Sequence, residues 1–312
     1  MSDLTIPPQL TVADLRGDRR RVRKDAGVRY VVLAAATMSI VISVLIIGSL
    51  VGEAWTFISQ VDPAALWTDG WFPRRGMYDL RTIIVGSLLV TIVAMAVALP
   101  VGLGSAVYLA EYAPRRVRKV LKPVLEILAG IPSVVLGVFA LRFISPEIVQ
   151  SIFSDATQFN MLAAGIAVGV LSVPLVASVS EDAMRSVPDS LREASYGMGA
   201  RKITTVTKVV IPGAVSGLVA AFIIAISRAI GETMVVLIAA GGTGGSLFTL
   251  DVTGPGTTMT AAIASQATGT DQVVGEALTF QSLFFVALLL FMITLLLNVV
   301  ANRFVRRVQE RY

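Results

Sequence analysis

Long runs without a charged residue alternate along this chain with short, strongly basic segments. A charge-free run of about 18 residues or more can cross the roughly 30 Å hydrocarbon layer as a helix. Five runs qualify plainly: 31–51, 82–110, 156–180, 209–250 (interrupted only by Arg228 and Glu232) and 277–302. A sixth is shorter. Residues 127–141 are uncharged, and 123–143 is long enough if Glu126 and Arg142 sit at its ends with their charged heads reaching the interface. The pattern predicts an all-α integral membrane protein with six transmembrane helices over 30–302, a basic segment 1–29 before them and a short basic tail 303–312.

The basic residues test that count. Segment 1–29 carries seven Lys/Arg, 111–123 five, 181–208 five and the tail after Asn302 four, together 21 of the 26 in the chain. The alternate loops hold Arg74, Arg75 and Arg81, with Arg142 bordering the second and none between Gly241 and Phe280. Lys and Arg accumulate on the cytoplasmic side of short loops. Both termini and both basic loops are therefore expected in the cytoplasm, which only an even number of spans allows. The first apolar run exceeds the roughly 7–15 residues of a signal-peptide core and is read as an uncleaved anchor. Outer loops 53–80 and 251–276 carry Trp55, Trp67, Trp71 and Phe72 between them, a composition suited to the membrane interface and to partner contact.

Composition narrows the chemistry. The chain is 55% hydrophobic and 15% charged, with a mean hydropathy of +0.77 and a net charge of +5. The basic excess is explained by the membrane rather than by nucleic acid. There is no Cys and no His, so disulfides, thiolate or imidazole metal sites and the common nucleophile–base pairs are excluded. No G-x-x-x-x-G-K-[ST] loop is present, so any ATP must be held by another subunit. No internal repeat is visible, which removes support for an inverted-repeat carrier. Pro100, Pro132 and Pro174 fall inside expected spans and suggest helices that line a pathway, or ordinary kinks. Gly48/Gly52, Gly165/Gly169 and Gly213/Gly217 have the spacing that lets helices approach closely.

Between the fourth and fifth expected spans stands Glu193-Ala194-Ser195-Tyr196-Gly197-Met198-Gly199, followed nine residues on by Val209-Val210-Ile211-Pro212. Pro188 and Asp189-Ser190 supply a helix start, and Gly199 supplies a left-handed stop. The segment resembles the EAA loop of binding-protein-dependent ABC importer permeases, within a coupling region at 181–213. Glu193, Ala194, Gly199 and Pro212 match in register, while Ser195, Val209 and Ile211 are conservative departures. The resemblance implies that the short helix sits in a cleft of an ATPase subunit, with Glu193 making a polar contact and Gly199 permitting close approach. It also implies the six-helix fold of type I (MetI-like) importer permeases.

The fifth run carries Ser227-Arg228-Ala229-Ile230-Gly231-Glu232-Thr233. An arginine near the centre of a span costs roughly 2.5–3.5 kcal/mol on insertion scales, so it needs a partner or water. In a continuous helix Arg228 and Glu232 share a face at i, i+4, and the glutamate would compensate the arginine until an anion competes for it. A guanidinium also presents a donor fork matched to phosphate oxygens. Together with Glu111-Tyr112-Ala113-Pro114 and Leu128-Ala129-Gly130-Ile131-Pro132-Ser133, this segment resembles phosphate-specific (Pst-type) importer permeases. Gly231-Glu232-Thr233-Met234 resembles the PstC-like more than the PstA-like half.

That resemblance implies a permease, not an enzyme, for inorganic phosphate, with Arg228, Glu232, Ser227 and Thr233 on the substrate pathway. It implies a second, PstA-like permease, two PstB-like subunits that bind ATP and Mg, and an extracytoplasmic PstS-like phosphate-binding protein, all in a bacterial plasma membrane. Other oxyanions (sulfate, molybdate, phosphonate) and a stand-alone anion channel or carrier remain open at this point.

Overall fold

The computed structural model describes the backbone of residues 19–242, 245–268 and 277–309. The chain divides into two compact units, Met1–Gly52 and Glu53–Tyr312. Helix α1 (Arg19–Gln60) starts in the first, and its turns from Glu53 on belong to the second. There Phe57 is fully buried, edge-on to Tyr78 and stacked on Phe285. A two-stranded hairpin follows, β1 (Trp71–Phe72) and β2 (Met77–Tyr78), turned by Gly76 at φ +70°.

Asp79 then caps α2 (Leu80–Val107) by accepting from the Thr82 amide, and the helix widens into a π-turn at Tyr108–Tyr112. α3 (Arg115–Ala129) and α4 (Ser133–Phe139, continued through a π stretch to Ile152) follow. α5 (Met161–Arg185) starts on Asn160, whose side-chain oxygen accepts from Ala163 at 2.6 Å. α6 (Asp189–Gly197) is short and surface-lying. Next come α7 (Lys202–Gly213), α8 (Val215–Ile230), α9 (Met234–Ala239), α10 (Met259–Thr268) and α11 (Ala277–Gln309).

α5 is the hub: 61% of its most apolar window is buried, against 6% for that of α11. Its small residues explain this. A Cβ at Gly165 would meet Val93 Cβ at 2.6 Å, and one at Gly169 would meet the Ala94 carbonyl at 2.7 Å, so α2 packs backbone-close against α5. Gly217 likewise faces Ala183, whereas a Cβ at Gly48 would meet nothing within 4 Å among the described residues.

Among the described residues five helices are long and apolar enough to cross a membrane. The pair α7 and α8, bent by 71° at Ala214, brings the count to six and is the fifth crossing in chain order. The six-span expectation stands, with three changes. The third crossing is not a helix over 123–143: it is Ser133–Ile152, because α3 is amphipathic and lies outside the spans, the chain breaks at Gly130-Ile131-Pro132, and Pro132 starts α4 rather than lying inside a span. The fifth does not run to residue 250. It stops at Ile230, restarts at Met234 and ends at Ala239. The 251–276 segment is not all surface loop, since α10 buries Met259, Ala261 and Ala262 in the interior.

Candidate functional site

Arg228 stands in the last turn of α8, about 20 Å along the helix from Val215 at 1.5 Å per residue. Helix carbonyls left open there favour a cation. Gly231 then ends the helix, and Glu232 lies beyond the break. The expected i, i+4 pair is therefore not formed, because it requires a continuous helix. Arg228 makes no ion pair or hydrogen bond among the described residues and is exposed. Glu232 instead accepts from the Val235 amide at 3.4 Å, capping α9, and its carbonyl accepts from the Thr260 hydroxyl at 2.8 Å. Ser227 turns to Asn298 on α11 (3.4 Å), and the Thr233 hydroxyl donates to the Gly231 carbonyl.

A cavity of about 200 Å³ holds Arg228 between α3 and α5, and Pro174 of the hub helix is in its wall. On the side nearer α6, Lys122 and Glu181 enter it. Glu181 is fully buried, with Arg118 Nε at 2.7 Å, Lys122 Nζ at 3.4 Å and Arg185 Nη1 at 4.0 Å. These are charge contacts outside hydrogen-bond alignment, so both carboxylate oxygens keep acceptor capacity. Lys122 also donates to Asp182 at 3.1 Å. Burial alone would lower its ammonium, but the Asp182 hydrogen bond and the fields of Glu181 and Asp182 outweigh it, holding the pKa above the ordinary lysine value.

α6 places the EAA-like residues at the surface. Glu193, Ala194 and Gly199 are exposed, beside Leu191, Tyr196, Ile203 and Met198, the last 88% exposed. Gly199 adopts φ +77°, the left-handed stop read from the sequence. The helix start differs slightly: Pro188 is the cap residue, and Asp189 pairs with Arg192 at 3.1 Å instead. Ser195 meets the Thr205 hydroxyl at 2.9 Å, and Pro212 lies two residues before the bend into α8.

Arg192, which sequence reasoning passed over, fixes this helix. Its guanidinium reaches Glu111 at 3.0 Å and the carbonyls of Met184 and Val187, so one side chain ties α6 to the ends of α2 and α5. Glu181 was equally unmarked, and Lys122 counted only among the basic residues of 111–123. Only the pair Glu181-Asp182, closing an apolar run one turn before a basic loop, could have drawn notice.

The fold has counterparts among known proteins. Residues 98–312 match the family of binding-protein-dependent transport system inner membrane components. The chain is 38% identical over 220 residues to the probable ABC transporter permease protein YqgH of Bacillus subtilis, covering 69% of this chain and 71% of that one. It is 29% identical over 311 residues to the phosphate transport system permease protein PstC of Mesorhizobium japonicum, covering 94% and 93%. The fold is shared with a solved bacterial ABC transporter involved in the import of the acidic polysaccharide alginate, at a TM-score of 0.61 and 13% identity, over 92% of this chain and 99% of that one. With a bent fifth crossing, a short exposed helix α6 and these likenesses together, the chain belongs to the binding-protein-dependent transport system inner membrane components, the multi-pass permeases that work with the other parts of an ABC importer.

Proposed function

We propose that this chain is the PstC-like half of an importer that moves inorganic phosphate into a bacterial cell. The observation that carries the reading is Arg228: an exposed guanidinium without a partner among the described residues, at the broken end of α8, in a chain whose relatives include named phosphate permeases. A free donor fork at that depth matches phosphate oxygens, and the half-helix end beside it offsets the charge until an anion arrives. Glu232 and Thr233 shape the break, and Ser227 steadies it through α11. Both termini and α6 face the cytoplasm, in keeping with the distribution of Lys and Arg.

A PstA-like permease completes the pathway, two PstB-like subunits bind ATP and Mg and dock on α6 through Glu193, Ala194, Ser195 and Gly199, and a PstS-like protein delivers phosphate from outside. Pro212 transmits the movement of α6 through the bend at Ala214. The test is uptake in vesicles by the complete complex. Phosphate-loaded binding protein should stimulate both ATP hydrolysis and phosphate uptake, and excess sulfate or molybdate should not compete. Competition by either, or ATP hydrolysis without phosphate movement, overturns the assignment.

A further inference from the structure

Arg228 does not stand alone in its cavity. Lys122 is the second cation there, and Glu126 and Glu181 are its carboxylates. Outside the cavity wall, Arg118 and Arg185 touch Glu181 while Asp182 takes Lys122, so four cations face three carboxylates and one positive charge is left over. Glu181 has no exposed surface and both its oxygens lack aligned donors. The Ser178 hydroxyl, at the same wall, makes no hydrogen bond among the described residues. The remaining lining is apolar, which strengthens charge interactions inside by lowering the local dielectric. At about 200 Å³ the space is several times the roughly 30 Å³ share of one water.

A fixed surplus of one positive charge, donors of two kinds and apolar walls describe a site for a small oxyanion. The coupling between the sites follows from geometry. Lys122 shares one cavity with Arg228, and it is also held by a buried carboxylate.

We propose that this cavity is a second oxyanion station, on the α6 side of Arg228, where Lys122 receives phosphate from Arg228 and Glu181 competes for the ammonium to release it. The proposal rests on the reading of the chain as a phosphate permease. A lipid headgroup presents the same phosphate chemistry, and the exposed apolar residues Val120 and Ile127 put α3 within reach of lipid, so the test separates the two sources.

The experiment uses the complete complex in neutral phosphatidylcholine vesicles, with and without added phosphatidylglycerol, and reads phosphate uptake per assembled complex against the concentration of loaded binding protein. Lys122→Gln should lower the maximal rate roughly tenfold, the size of one charge-assisted hydrogen bond lost, with the half-saturating concentration unchanged. Lys122→Arg should restore most of it, since the cation is kept. Arg185→Gln removes only the long 4.0 Å contact to Glu181, from a side chain 44% exposed outside the cavity, and should stay within about threefold of wild type.

Equal losses in Lys122→Gln and Arg185→Gln would reduce the cluster to a structural anchor on Glu181 and overturn the station. So would a Lys122→Gln rate near wild type. A deficit seen only with phosphatidylglycerol would assign the cavity to lipid instead. A wild-type complex that moves no phosphate while still hydrolysing ATP would overturn the parent reading, and the station with it.

Discussion

At the scale of single residues the sharpest expectation concerns Arg228. Arg228→Lys keeps the charge but loses the planar fork, so phosphate uptake should fall by about tenfold or more if two oxygens are bound at once. Arg228→Gln should abolish it. Because Glu232 caps α9 rather than pairing with Arg228, Glu232→Gln should cost only about 1 kcal/mol of local stability and leave uptake measurable, and adding it to Arg228→Gln should rescue nothing. Radiolabelled uptake normalised to assembled complex reads all three; recovery in the double variant would restore the ion-pair reading. Gly199→Asp works differently. Apart from its chain neighbours, no atom of the described residues lies within 4 Å of where its Cβ would sit, so folding bears only about 1–2 kcal/mol of left-handed strain. Any larger effect must come from the docked partner, and the expected result is normal membrane insertion with weak co-purification of the ATPase.

At the scale of elements, α6 is held at two points: Ser195 to Thr205 ahead of the bend, and Arg192 to Glu111 with side-chain exposures of 13% and 6%. A push on α6 therefore reaches α2 and α5 as well as α8. Removing one partner of a buried pair strands the other, at a cost of about 3–5 kcal/mol. Arg192→Gln should accordingly lower the phosphate moved per ATP several-fold, the direction given by the lost contact with α2, while basal ATP hydrolysis by the assembled complex continues. Arg192→Lys should not repair it, since an ammonium cannot reach Glu111 and two carbonyls in the same fork. An unchanged ratio of phosphate to ATP would make the contact a static brace. Elsewhere the elements show why local reading misplaced a boundary: α3 puts Arg118 and Lys122 toward α5 and leaves Val120 and Ile127 outward, so its apolar side counted toward a span that begins only at Ser133.

At the scale of the whole molecule the topology is testable, since the chain has no native cysteine. The Thr157 amide donates to the Thr253 carbonyl at 3.1 Å, so the segments after α4 and before α10 lie at one end, while α6 follows α5 at the other. Cysteines placed at Ser154 and Leu250 should react with an impermeant maleimide from outside the cell and one at Ser190 should not; outside labelling at Ser190 would reverse the orientation. The number of crossings and the left-handed stop after α6 were legible in the chain because each depends on neighbours in sequence. Hydropathy is summed over one helix, and Gly199 sets its own φ. Who meets Arg228 was not legible. The i, i+4 rule assumes an unbroken helix, and the stop at Gly231 comes where α9 must repack against α4: there a Cβ on Gly137 would lie 3.2 Å from the Met234 carbonyl. Lys122 and Glu181 are 59 residues apart in sequence, and Glu111 and Arg192 are 81 apart. Those charges meet only because α2 packs on α5 through Gly165 and Gly169 and α3 lies against α5, and only the tertiary structure decides that.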